Sequence, residues 1–200
     1  YKCISIFISA VFLAACSALP PKSPPTSQDD VSQVEPGTTL HWWYVRFQFH
    51  WDSQSVDWGK DVSIAHKVVL PIIAQYPKKL KVWRVHRRAA PDAAGHQFSF
   101  IFYADAGTAK HVFTQIKTNS WVVSLIEHDI IRNLKLDDPD KPYASEIGAT
   151  SDSNWDPIIQ DTWPFFIEGV CRQWLALIDK LAVQRPLENH QTVQPTLEYY

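Results

Sequence analysis

The chain has 200 residues and a mass of 22.9 kDa, with 46% apolar and 20% charged residues, enough to bury a core and too apolar for a chain disordered throughout. Nineteen basic against 21 acidic residues leave a formal charge of −2, which excludes a general nucleic-acid binder, because displacing counterions from phosphates needs a positive excess. Three cysteines exclude a disulfide framework or a cysteine-rich zinc site, and all nine tryptophans lie beyond residue 40.

Residues 1–15 read as a signal peptide. Lys2 precedes an apolar run from Ile4 to Ala15 that only Ser5 and Ser9 interrupt. A bilayer core takes about 20 apolar residues to cross, and this run has instead the length of a signal-peptide hydrophobic region. It ends in Leu13-Ala14-Ala15-Cys16, which resembles the bacterial lipobox, where a Leu and two small residues precede a Cys that is lipidated and becomes the new N-terminus. The resemblance implies acyl chains on Cys16 and membrane anchoring through them. With Ser17 rather than Asp after the Cys, it further implies the outer membrane of a two-membrane bacterium, with the domain facing the periplasm. Several chains on one Cys hold firmly, since each buried methylene contributes about 0.8 kcal/mol. The chain starts at Tyr1 rather than Met, which leaves room for further charged residues ahead of Lys2.

Residues 16–40 hold the lipidated Cys and a tether rich in Pro and Ser, with five Pro between Ser17 and Thr39. Proline fixes φ and removes donors, so the segment is expected to be extended, reaching roughly 60–70 Å. Residues 41–184 follow as a globular domain, and 185–200 as a polar tail.

Within the domain, residues 42–52 alternate as a strand, with Trp43, Val45, Phe47, Phe49 and Trp51 on one face. Residues 57–76 have helical spacing, capped by Asp57 or Asp61 and interrupted by Pro71. Strands are predicted at 80–87 and 96–104, joined by a turn through 90–95. Asp105 caps a helix to Lys117, a second helical stretch spans 120–127, and a fourth strand spans 129–136. The order β-α-β-β-α-β looks like a ferredoxin-like α+β sandwich, an antiparallel sheet with two helices on one face and the first and third strands central. A polar loop leads to an additional C-terminal helix, 156–183, capped by Asp156 with Pro157 at its first position. Its apolar positions include Trp163, Phe166, Val170, Trp174 and Leu177, which predict a buried stripe docked on the uncovered face of the sheet.

Three constellations are candidate sites. The polar side of the central strands carries Trp42, Tyr44, Arg46, Gln48, His50, Gln97, Ser99 and Tyr103, a mixture suited to a ligand or protein interface unless the last helix covers it. Lys78, Lys79, Lys81, Arg84, Arg87 and Arg88, with His86 among them, form either a patch for an anionic partner or a solvated strand edge. Eight His include no i, i+4 helical pair and no HExxH, so neither a metal nor a cofactor is expected, although His50 and His96 can approach across the central strands. Cys171 reads as a core residue. No hydrolase pattern is present. The sequence therefore points to a lipid-anchored, non-enzymatic binding or assembly module with a protein partner in the cell envelope. The alternative is a periplasmic enzyme or small-ligand-binding protein using the sheet face.

Overall fold

The computed structural model describes residues 39–51 and 55–184. The signal peptide, lipobox, most of the tether and the C-terminal tail predicted above lie outside the described residues. One sheet contains β1 (Leu40–Phe49), β2 (Val82–Ala89), β3 (His96–Asp105) and β4 (Ile131–Leu136), in the order β2-β3-β1-β4 with every neighbouring pair antiparallel. Beside it are α1 (Gly59–Ile64), a π-helical turn (Ala65–Val69), α2 (Leu70–Gln75), α3 (Ala106–Thr118), α4 (Ser120–Glu127) and a 3₁₀ turn (Ile147–Thr150). The last element is α5 (Pro157–Gln184). The protein is thus of mixed α+β class.

Strict alternation places Trp43, Val45, Phe47 and Phe49 of β1 and Phe98, Phe100 and Phe102 of β3 on the helix side of the sheet, all buried. They pack with Val68 and Ile72, with Val112, Phe113 and Ile116, and with Val122 and Leu125 into one core. Trp43 is buried with its polar atom satisfied, Nε1 donating to the Ala104 carbonyl at 2.9 Å.

Pro71 does not break its helix. A proline ring collides with the carbonyl four residues back, here Lys67, and the π-helical turn that precedes it widens the backbone, with the Leu70 N–H reaching the Ala65 carbonyl. Asn119 Nδ2 also donates to the Lys67 carbonyl, at 3.5 Å. The N-cap position of α1 is Trp58 and carries no side-chain cap; Asp57, one residue earlier, accepts from the Gly59 N–H at 2.9 Å in a local turn. Asp61, the other candidate cap, is buried in the domain instead. Asp105 caps α3, and Asn119 caps α4 by accepting from the N–H groups of Trp121 and Val122.

The placement and facing of α5 correct the expectation. The helix does not cover the uncovered sheet face. It lies along the outer edge of β2, where the Val85 N–H donates to Cys171 Sγ at 3.4 Å. Its buried line is Cys171, Leu175 and Ile178, whereas Phe166 is 62% and Leu177 56% exposed. The reason is the geometry of a strand edge. A helix must approach closely to cover unpaired backbone groups, and the small Cys171 allows this where a Phe would hold it away. Gly148 allows the other close contact of α5: a Cβ there would meet Asp161 Oδ1 at 2.6 Å.

Candidate functional site

The sheet face away from the helices carries most of the predicted site. Its register brings Arg84, Ile101 and Tyr44 into one row, His86, Ser99, Arg46 and Lys135 into the next, and Arg88, Gln97, Gln48 and Asn133 into a third. One end is closed. Trp42, Val82 and Ile101 are buried beneath Ile147 and Ala149 of the 3₁₀ turn. Trp42 Nε1 donates to the carbonyls of Glu146 and Ile147, both at 3.1 Å, and the Tyr103 hydroxyl donates to the Ser145 carbonyl. Arg84 donates to the Thr150 carbonyl at 2.9 Å, while its buried Nε has no partner. Thus Trp42, Tyr103 and part of Tyr44 serve to seat a loop, and the covering element is the segment 137–150 rather than α5.

The open end is cationic but largely paired. Arg46 sits 3.1 Å from Asp137, which also accepts from the Tyr44 N–H, and its guanidinium lies over the Tyr44 ring. Arg88 pairs with Asp92 of the β2–β3 turn. Gln48 donates to the carbonyls of Ala93 and Ala94, and Gln97 to Ser99. Lys135 and His86 are exposed. Partial desolvation, reinforced by Arg84 and Arg88, holds the His86 imidazole below its ordinary value. Burial raises the Tyr44 phenol above its ordinary value. His86 and Lys135 stand at opposite edges of the row, with Ser99 and Arg46 between them, and the face offers no buried reactive group.

The basic cluster at 78–88 does not form one patch. Strand alternation sends Arg84 and Arg88 to the open face and Arg87 to the helix side, while Lys78, Lys79 and Lys81 stay exposed at the turn before β2. Arg87 Nε lies 3.9 Å from Asp61 Oδ1, and its guanidinium is held between Trp58 at 4.6 Å and Trp174 at 5.0 Å.

His50 and His96 also separate. His50 pairs with Asp129 at 3.0 Å and lines a shallow groove of about 500 Å³ with Trp51, Ser55, Asp57 and Lys60. His96 turns inward, where its Nε2 lies 2.7 Å from Asp61 Oδ2 beneath Phe49 and Trp58. A His–carboxylate pair can serve as a general base, but both side chains here are closed off from solvent and cannot meet a substrate. The Asp61, His96 and Arg87 cluster instead ties α1, β2, β3 and α5 together.

Among the described residues, one unpartnered feature is an apolar face that the sequence reading assigned to the core. Ile159, Phe166, Val170, Leu177 and Leu181 form an exposed apolar stripe along α5, flanked by Trp163 and Trp174. The periodic signal was present, but it marks two apolar arcs on the helix and does not say which one meets the sheet. No described helix is long and apolar enough to cross a membrane. Among the described residues there is no group of three or more His, Cys, Asp or Glu placed to hold a metal. No protein-family model, curated protein or solved structure matches the chain.

Proposed function

We propose that the protein is a lipid-anchored envelope protein whose domain is a non-enzymatic assembly module, joining another folded protein through α5. The observation that carries this reading is the exposed apolar stripe, since a soluble domain leaves a contiguous apolar face of that size uncovered where it meets a partner. The buried Asp61–His96 pair and the paired cations of the sheet face argue against catalysis as the main role. The anchor rests on Leu13-Ala14-Ala15-Cys16, with Cys16 lipidated and the domain held at the outer membrane, facing the periplasm. The strand order β2-β3-β1-β4 supports a ferredoxin-like arrangement, to which α5 is an addition at the β2 edge.

Two measurements test the reading. Labelled fatty acid should enter the wild-type chain and not Cys16→Ser, which should accumulate as an unprocessed precursor. A photo-crosslinking residue placed at Phe166 in cells should capture a defined protein, while the same residue at exposed Lys78 should not. Failure of the first removes the anchor, and failure of the second removes the assembly role.

A further inference from the structure

We infer that the partner of the α5 stripe is α5 of a second copy of this chain, packed antiparallel about a two-fold axis. This rests on the reading of α5 as an assembly surface and names what assembles. Five large apolar side chains of the stripe, Ile159, Phe166, Val170, Leu177 and Leu181, stand exposed among the described residues. They amount to on the order of 500 Å² of apolar surface, against ~800 Å² per partner in a standard interface.

The stripe is self-complementary. Ile159, Trp163, Phe166, Val170, Gln173 and Leu177 are spaced alternately by four and three residues, the rhythm of helices that pack in a heptad seam. In the antiparallel register that seats Phe166 on Val170, Trp163 meets Gln173 and Ile159 meets Leu177. The one polar residue in the seam then faces an indole N–H that can donate to it. The same register sets Asp156 of each copy against Lys180 of the other, which makes the pairing complementary in charge at both ends. Asp156 and Lys180 are both exposed, and neither is in an ion pair among the described residues. The symmetry is closed, so association stops at two copies.

Gly169 supplies an independent reason. It flanks the middle of the stripe, about 100° round the helix from Val170, where a Cβ would meet nothing within 4 Å. Glycine weakens a helix interior, and nothing in the single chain requires one here. A second helix lying along the seam passes beside this position, and the missing side chain leaves room for it.

Analytical ultracentrifugation of the full chain in density-matched detergent, across the micromolar range, tests the proposal. The expected result is a monomer–dimer equilibrium whose limit is twice the mass of the processed, lipidated chain. Val170→Asp should weaken association by about a hundredfold or more while leaving the melting curve of the dissociated chain unchanged. Gly169→Leu should move the two readouts in opposite directions, raising the melting temperature and weakening association. Lys180→Glu should weaken the dimer about three- to tenfold, and adding Asp156→Lys should restore it. A chain that stays monomeric, a Gly169→Leu variant that associates like the wild type, or a charge exchange without rescue overturns the proposal. If the chain is monomeric but the crosslinker at Phe166 still captures a different protein, self-association fails and the assembly reading stands. If it is monomeric and captures nothing, both fail.

Discussion

Asp129 holds φ at 59°, the left-handed region, at the end of α4. Its N–H reaches the Ile126 carbonyl at 3.0 Å and the Ile130 N–H reaches the Leu125 carbonyl at 2.9 Å, so two otherwise unpaired carbonyls are satisfied in the way a glycine usually allows. The carboxylate also pairs with His50, but both partners are exposed and such a pair contributes little. Asp129→Gly is therefore expected to stabilise the domain by up to about 1 kcal/mol in chemical denaturation. Asp129→Asn, which tolerates the same backbone but loses the ion pair, should change stability by less than about 0.5 kcal/mol.

A second residue-scale effect concerns His66. Burial, opposed by Asp179 and aided by Lys67, holds its imidazole below the ordinary value. The unfolded chain then takes up the proton more readily than the folded one, so this residue's contribution is present above the ordinary imidazole pKa and is lost as pH falls through it. Melting temperatures between pH 7.5 and about 5 should fall less steeply for His66→Gln than for the wild type. Parallel curves would mean that His66 titrates alike in both states.

At the scale of elements, α5 separates two roles two residues apart. Leu175 is buried against the β2 edge and Leu177 faces away. Leu175→Ala should cost about 2–5 kcal/mol, and Leu177→Ala less than about 0.5 kcal/mol when measured at concentrations where the chain is monomeric. The two values come from the same denaturation experiment, and equal costs would reverse the assignment of the helix faces. Apart from Cys171, which reads as a core residue and is buried, this distinction was not legible in the sequence. Trp163, Phe166 and Val170 are larger and more apolar than Cys171, and a burial estimate by size alone selects the wrong arc. What decides is the identity of the surface being covered, a strand edge with a free N–H at Val85, and periodicity does not report it. By contrast β1 and β3 were legible because both faces of a central strand alternate sharply, and Asp105 because an extended cap precedes a helical run. The cationic cluster divides for a related reason. Neighbours in sequence become opposites in a strand, so Arg87 joins Asp61 in the interior while Arg84 and Arg88 face the other way.

For the molecule as a whole, the sheet is enclosed on unequal terms. The helices cover one face, the segment 137–150 covers half of the other, and α5 lies along β2. At the opposite edge, β4 is short and presents Arg132, Asn133 and Lys135 as exposed residues. The β2 edge has a vulnerability that the finished structure conceals, because its cover is made last. The four strands end at Leu136, whereas Ile178, the last residue of the buried line of α5, lies 42 residues further along the sequence. A chain that has formed its sheet before α5 docks presents a bare β2 edge to its neighbours. Chains truncated after Asp156 are expected on refolding to join one another into aggregates that bind thioflavin T, whereas chains ending at Gln184 stay dispersed. If both behave alike, the β2 edge is harmless without its cover.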